Sequence, residues 1–371
     1  MSGRLEEEIL RSLVRCPDVA ELSFEQLMEL AAAEEKVQAH LPENLCRTDP
    51  RNGDRVLYTT ARAGRPHDTS HSAPPGGAVQ RECVICRGQT TGVVDIAALS
   101  EGFTFINLNL FPVLYPDPPG EVLRGGQAPE VPEQREVRGA HFLQWTSSLH
   151  DRDWHNLPTY DLLVVMKRLA ALERTLLAGA AAGETRCVSI IKNHGRLVGG
   201  SLSHGHQQII VSDVSPRRFE ENLRFLQERG RHFSAYMLDK NPAGLSLRDY
   251  GPAVLLVPYF MRRPGDMLLL FKDPGKSFLY ELSEAELDAA GRGWQEAIRT
   301  LRALMPRLGR ETAYSVITHS GPGAGLYFEF LPYTQEIGGL EQLGLWLCQE
   351  TPEQAAALLR EILADAAGKE A

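Results

Sequence analysis

The chain has no long hydrophobic run. Its most apolar stretch, AVLLVPYFM, falls far short of the roughly 20 residues that span a bilayer, and a proline interrupts it. Positive charge is scarce as well: 39 Lys and Arg stand against 48 Asp and Glu, a formal net charge of −9. That balance argues against broad binding to nucleic acid or an anionic membrane, so neither is an expected partner; a local basic pocket for a small anion remains compatible with it. Six cysteines in 371 residues, at 16, 46, 83, 86, 187 and 348, are too few for a disulfide scaffold. A reducing, cytoplasmic compartment is therefore expected. The amino terminus, MSGRLEEEIL, is acidic and amphipathic and unlike a secretion signal.

What is there is ordinary globular composition, 43% hydrophobic and 23% charged. Residues 1–47 read as a helical extension, with apolar residues at three- and four-residue steps in LEEEILRSLV and FEQLMELAAAEEKVQA. Asn52-Gly53 turns the chain into a short strand, Arg55 to Thr60, followed by a Pro-, Gly- and Ser-rich loop at 66–80. Strand patterns at 103–115 and 140–148 precede a helix at 159–180 and two strands, CVSIIKNHG and HGHQQIIVS. A similar order returns from about 250: strands AVLLVPYF and MLLLFK, a long helix near 283–304, then strands AYSVITHSG and GLYFEFLP. This weak repeat predicts an α+β protein of two related halves, 48–215 and 216–371, each an antiparallel sheet with helical cover.

Two features carry chemistry. CVIC places Cys83 and Cys86 where one tight turn can offer two thiolates to an ion, and closed zinc sites want four sulfur or imidazole ligands. No second C-x2-C exists, so the remaining ligands must be histidines, and residue chemistry alone leaves His150, His155, His204 and His206 open. The second feature is GGSLSHGHQQII. His204, His206 and Gln208 stand at alternate positions, so a strand would project all three from one face. Gly199, Gly200 and Ser201 upstream form a turn whose amides can approach an anion.

Taken together, IKNHGRLVGGSLSHGHQQI resembles the signature of the galactose-1-phosphate uridylyltransferase family, a branch of the histidine-triad superfamily that includes nucleotide phosphorylases. Asn193, Gly199, Ser201, His204, His206 and Gln208 fall on that pattern without gaps. DPRNGDRVLYTTARAGRPHD is similar to the family's opening segment, whose two arginines would be Arg62 and Arg65. CVICRG matches its zinc turn, and WTSSLHDRDWHNLP the segment that supplies a further ligand, His150 by position with His155 in reserve. INLNLFPVLYP occupies the place of the nucleoside-contacting strand, with Asn109 at its asparagine. The likeness runs from about residue 48 to the end.

The resemblance implies two histidine-triad-like halves, the second without catalytic histidines, and a homodimer. It implies Zn2+ on Cys83, Cys86, His150 and His204, His206 as nucleophile with Gln208 beside it, and substrate contacts from Arg62, Arg65, Asn109, Asn193, Gly199, Gly200 and Ser201. It further implies nucleotidyl transfer, UMP or another NMP passing from a nucleotide sugar to a sugar 1-phosphate by a ping-pong cycle. The chain also departs from the family. The later strand that carries two metal-binding histidines there has Tyr327 and Glu329, so no second metal site is expected, and Leu110 replaces an acidic residue expected after Asn109. Competing readings are an ADP-sugar or dinucleoside polyphosphate phosphorylase using inorganic phosphate, a zinc-containing nucleotide-binding protein without turnover, and a metal-dependent hydrolase.

Overall fold

The computed structural model describes residues 3–65, 83–116, 133–180 and 184–370, with side chains to 366. The Pro-, Gly- and Ser-rich loop at 66–80 lies outside the described residues. The chain divides into two compact units. The first comprises 1–152, 167–190 and 204–221, and the second 153–166, 191–203 and 222–371. Both are antiparallel sheet with helical cover, as the α+β reading expects.

The first unit opens with helices α1 (Glu7–Leu13) and α2 (Phe24–Ala32), the latter closed by a capping box between Ser23 and Gln26. A three-stranded sheet follows in the order β2 (Arg55–Tyr58), β1 (Leu45–Thr48), β5 (Gln134–Glu136). A larger sheet runs β3 (Val93–Ala98), β4 (Phe103–Leu108), β6 (Gly139–Trp145), β8 (His206–Ser212). The strand β7 (Cys187–His194) counts its first four residues in this unit, as the helix α3 (Thr159–Leu177) counts its later turns. Phe142, Ile209 and Val211 fill the core from one face of these strands, and Phe105 and Trp145 are buried on the other.

The N-terminal helices belong to this unit and clamp its cysteine turn. Leu5 donates its N–H to the Ser148 carbonyl, and His150 donates to the Gly3 carbonyl, both at 2.9 Å. Gly3 lies so close to Cys86 that a Cβ there would sit 3.1 Å from its Sγ, and Ile9 packs directly over Gly88. Glu34 accepts from the Gly92 N–H at 2.7 Å, and Lys36 donates to the Thr90 carbonyl. Farther along, Asp95 is wholly buried, and the Arg168 guanidinium pairs with it and with Asp18. Burial pushes the Asp95 carboxyl above its ordinary value even though Arg168 opposes the shift.

The second unit is built on the sheet order β12 (Tyr314–His319), β13 (Tyr327–Pro332), β11 (Met267–Phe271), β10 (Ala253–Leu256), β9 (Ser246–Asp249). The helix α6 (Glu284–Arg307) covers it, started by the Ser283–Glu286 capping box. Gly293 permits close approach of this helix, since a Cβ there would overlap the Leu269 side chain, and Trp294 packs on Phe328. Further helices are α4 (Arg217–Arg229), α5 (Phe233–Lys240), the short α7 (Gly339–Gln342) and α8 (Pro352–Glu370). Lys192 on β7 and Asp153 form a buried ion pair at 2.8 Å. Among the described residues no helix is long and apolar enough to cross a membrane.

Candidate active site and metal centre

Cys83, Cys86, His150 and His204 converge in the first unit, their ligand atoms all within 4.8 Å of one another. Cys83 Sγ lies 3.6 Å from His204 Nδ1, and Cys86 Sγ lies 3.7 Å from Nδ1 of both His150 and His204. A tetrahedral ion with bonds near 2.3 Å to sulfur and 2.0–2.1 Å to nitrogen would set sulfur and nitrogen about 3.5 Å apart, so the set fits such an ion. His204 is fully buried, and its Nε2 lies 2.8 Å from the Ser147 carbonyl. Donation there places the proton on Nε2 and leaves the Nδ1 lone pair for a metal. Burial would raise the Cys83 thiol, but hydrogen bonds from His150 and His204 hold it well below the usual thiol range. His155 is not part of this set. It sits in a turn of the second unit, where burial and then Arg302 lower its pKa to about 4.

One expectation is corrected. His204 does not share a strand with His206, because β8 begins at His206. Gly205 lies outside the strand too, its carbonyl accepting from the Thr146 N–H at 2.9 Å. Strand alternation therefore puts only His206 and Gln208 on a common face, and the turn before the strand sends His204 inward to the cysteines. Trp145 links the two rings. It lies edge-on to His204, with centroids 5.3 Å apart, and tilted over His206 at 4.9 Å. Its Nε1 donates to Asn107 Oδ1 at 2.7 Å, and Asn107 in turn donates to Thr90 and Thr91. Neither Trp145 nor Asn107 announces this role in the sequence.

The half-buried His206 places its Nδ1 2.8 Å from the carbonyl of His204. With the proton held on Nδ1, the Nε2 lone pair is the nucleophilic one. In the register of β6 against β8, His206 stands opposite Trp145, Gln208 opposite Leu143 and Ile210 opposite His141. These six side chains share one face. Arg62 donates to the Phe111 carbonyl, and burial and then Arg65 lower its pKa to about 10, so it remains a cation near neutrality. Asn109 closes a turn by accepting from the Phe111 N–H at 3.0 Å and directs its amide nitrogen at His141, 3.2 Å from Nε2.

Four of the substrate residues read from the sequence belong to the second unit. Asn193 accepts from the Ser315 hydroxyl at 2.9 Å. Gly199 has φ +82°, and a Cβ on Gly200 would meet the Gly195 carbonyl at 2.8 Å, so glycine is required for this turn. Ser201 follows it directly. Tyr327 and Glu329 also lie in this unit, with Glu329 2.9 Å from His319 Nε2 and Tyr327 stacked on the His319 ring.

No family model matches the chain. It is 20% identical over 349 residues to ADP-glucose phosphorylase of Arabidopsis thaliana, covering 88% of this chain and 95% of that protein. A solved uridylyltransferase structure superposes with a TM-score of 0.68 at 20% identity, covering 87% of this chain and 99% of that one. ADP-glucose phosphorylase from Arabidopsis thaliana with bound ADP-glucose does so with a TM-score of 0.59 at 18% identity, covering 85% and 97%. The chain thus has the fold of the solved uridylyltransferase and ADP-glucose phosphorylase structures.

Proposed function

We propose that the protein is a nucleotidylyltransferase that moves a nucleoside monophosphate from a nucleotide sugar to a phosphate-bearing acceptor, a sugar 1-phosphate, through a covalent bond to His206. One observation carries this reading: the His204 carbonyl accepts a hydrogen bond from His206 Nδ1–H, so the lone pair of the neutral ring is on Nε2. Nε2 attacks the α-phosphorus, the P–N bond forms, and the bridging P–O bond breaks. The electron pair leaves with the sugar phosphate, a stable anion that needs no general acid. An acceptor phosphate oxygen then attacks the same phosphorus and restores the imidazole. Arg62 and Arg65, the amides around Gly199 and Gly200, and Ser201 offset the phosphate charge, while Gln208 donates an amide hydrogen to a phosphoryl oxygen. Asn109 and Asn193 complete the substrate contacts.

Zinc is the ion proposed for Cys83, Cys86, His150 and His204, and with four protein ligands its contribution is structural. A zinc held by four protein ligands would have no open position for water, which argues against the hydrolase reading. A binding protein without turnover is disfavoured by the care with which the His206 tautomer is fixed. A homodimer in a reducing, cytoplasmic compartment, and a division at residues 48 and 216, are proposed with the family reading.

A second reading has specific support. The curated relative matched over nearly its whole length is a phosphorylase of ADP-glucose, and Leu110 supplies no carboxylate where uridylyltransferases have one. In that case inorganic phosphate is the acceptor and an ADP-sugar or dinucleoside polyphosphate the donor. The test is a matrix of UDP- and ADP-sugars against hexose 1-phosphates and inorganic phosphate, followed by release of sugar phosphate. Turnover with a hexose 1-phosphate supports the first reading and turnover only with phosphate the second. Binding of a nucleotide sugar without transfer under every pairing contradicts both.

A further inference from the structure

The His206 face of the first unit carries one ionisable group to which the reaction above gives no task. His141 is 1% exposed, in the middle of β6. It stands opposite Ile210 and therefore diagonal to Gln208, within reach of a long side chain on the same face. The Val113 N–H donates to its Nδ1 at 3.2 Å, while the Asn109 amide nitrogen lies against both ring nitrogens, 3.4 Å from Nδ1 and 3.2 Å from Nε2. A backbone N–H cannot accept, so Nδ1 must be unprotonated and the neutral ring must carry its hydrogen on Nε2.

We propose that His141 is a positioning residue: its Nε2–H holds the carbonyl end of the Gln208 amide and so turns the amide NH2 toward the phosphoryl oxygens of the substrate. This rests on the nucleotidyl-transfer reading of His206. A glutamine amide is nearly symmetric in shape, and the flipped orientation would point an oxygen lone pair at a phosphate oxygen. A fixed donor at one end removes that wrong orientation, which packing alone does not do. The donor must also stay neutral. A second ring proton on Nδ1 would face the Val113 N–H, and the surroundings oppose it: burial first, then Arg62, keep the imidazole well below its ordinary pKa, with His206 and Arg65 adding to the effect. The Gln208 side chain pulls the other way, as an acceptor for a ring N–H does.

The test uses the full chain in single turnover, reading formation of the labelled covalent adduct from a nucleotide sugar. His141→Phe is expected to slow adduct formation about tenfold to a hundredfold, much as Gln208→Ala does, with donor affinity changed little. The double variant is expected to be no slower than the worse single one, since both remove the same contact. His141→Gln, which keeps an acceptor and a donor, is expected to recover most of the rate. Losses that multiply in the double variant, or a His141→Phe protein with lower thermal stability but an unchanged rate, would overturn the assignment. The ring itself gives a readout independent of turnover. Nitrogen NMR is expected to show His141 as the Nε2-protonated neutral form between pH 5 and 8, with that signal displaced in Gln208→Ala. A cationic or Nδ1-protonated ring would overturn the inference even if no adduct ever forms. Absence of adduct in the unaltered protein, with the ring as expected, would instead count against the role of His206.

Discussion

Two imidazoles two positions apart differ in which nitrogen is hydrogen-bonded, and the proposed division of labour follows from that difference. His204 is tied through Nε2 and has Nδ1 within 3.7 Å of both cysteine sulfurs, whereas His206 is tied through Nδ1, which leaves the lone pair on Nε2. The variants should separate accordingly. His204→Asn is expected to lose bound metal and much of the thermal stability, because it removes one of four ligands and leaves two thiolates half-paired. His206→Asn is expected to keep metal content and melting temperature while abolishing the adduct. Elemental analysis and a thermal melt of both proteins check this, and loss of metal from the His206 variant would show that the division of roles is wrong. The motif made His206, Gln208 and the cysteine pair legible from the sequence. His141 and Asn107 were not legible, since their importance depends on which residue stands across the strand pair, and no local pattern records that register.

At the scale of elements, the N-terminal helices were readable from their periodicity, but their task was not. The contacts of Gly3, Ile9, Glu34 and Lys36 with the Cys83–Gly92 segment make the extension a brace for the metal turn. Removing residues 1–40 is expected to speed transfer of bound zinc to a chromogenic chelator several-fold, and an unchanged rate would deny the brace. The same segment is pinned through Asp18 and Asp95 to Arg168 on α3. Arg168→Leu strands a buried carboxylate and is expected to cost about 3–5 kcal/mol in chemical denaturation. In the second unit, His194 at the end of β7 stacks on Tyr314 and lies 3.4 Å from Arg302. Burial, then Lys192, lower its pKa to about 4, with Arg302 and His155 acting in the same direction and Asp153 opposing them. An unfolded histidine titrates near 6.5, so the unfolded chain binds the extra proton first as pH falls. The stability due to neutral His194 is complete above about 6.5 and is lost as pH drops toward 4, on the order of 2 kcal/mol at pH 5. Melting curves of the unaltered protein and His194→Asn at pH 7 and 5 should differ in slope, the variant being the flatter. A period-two argument puts His204 on β8; the strand begins only at His206, after a bend at Ser203 and His204 that such an argument does not see.

At the scale of the whole molecule, recurrence of strand and helix order foretold two antiparallel halves, and the described units bear out that architecture. The sequence reading placed the chemistry in the half with the histidines. The structure adds that Cys83, Cys86, His150, His204, Arg62, Arg65, Asn109, His206 and Gln208 all lie in the first unit, while Asn193 and the Gly199–Ser201 turn belong to the second. The segment spacing could not reveal this, because the chain passes between the units within β7 and again just before His204. The central claim is that a nucleotide becomes covalently attached to one particular imidazole. Its most direct test is to quench the protein with a nucleotide sugar at alkaline pH, where a phosphoramidate survives, digest it, and locate the added mass by tandem mass spectrometry. The account predicts a single nucleoside monophosphate on His206, absent from His206→Asn and lost on brief acid treatment. An adduct on another residue, or turnover with no adduct at all, would contradict it.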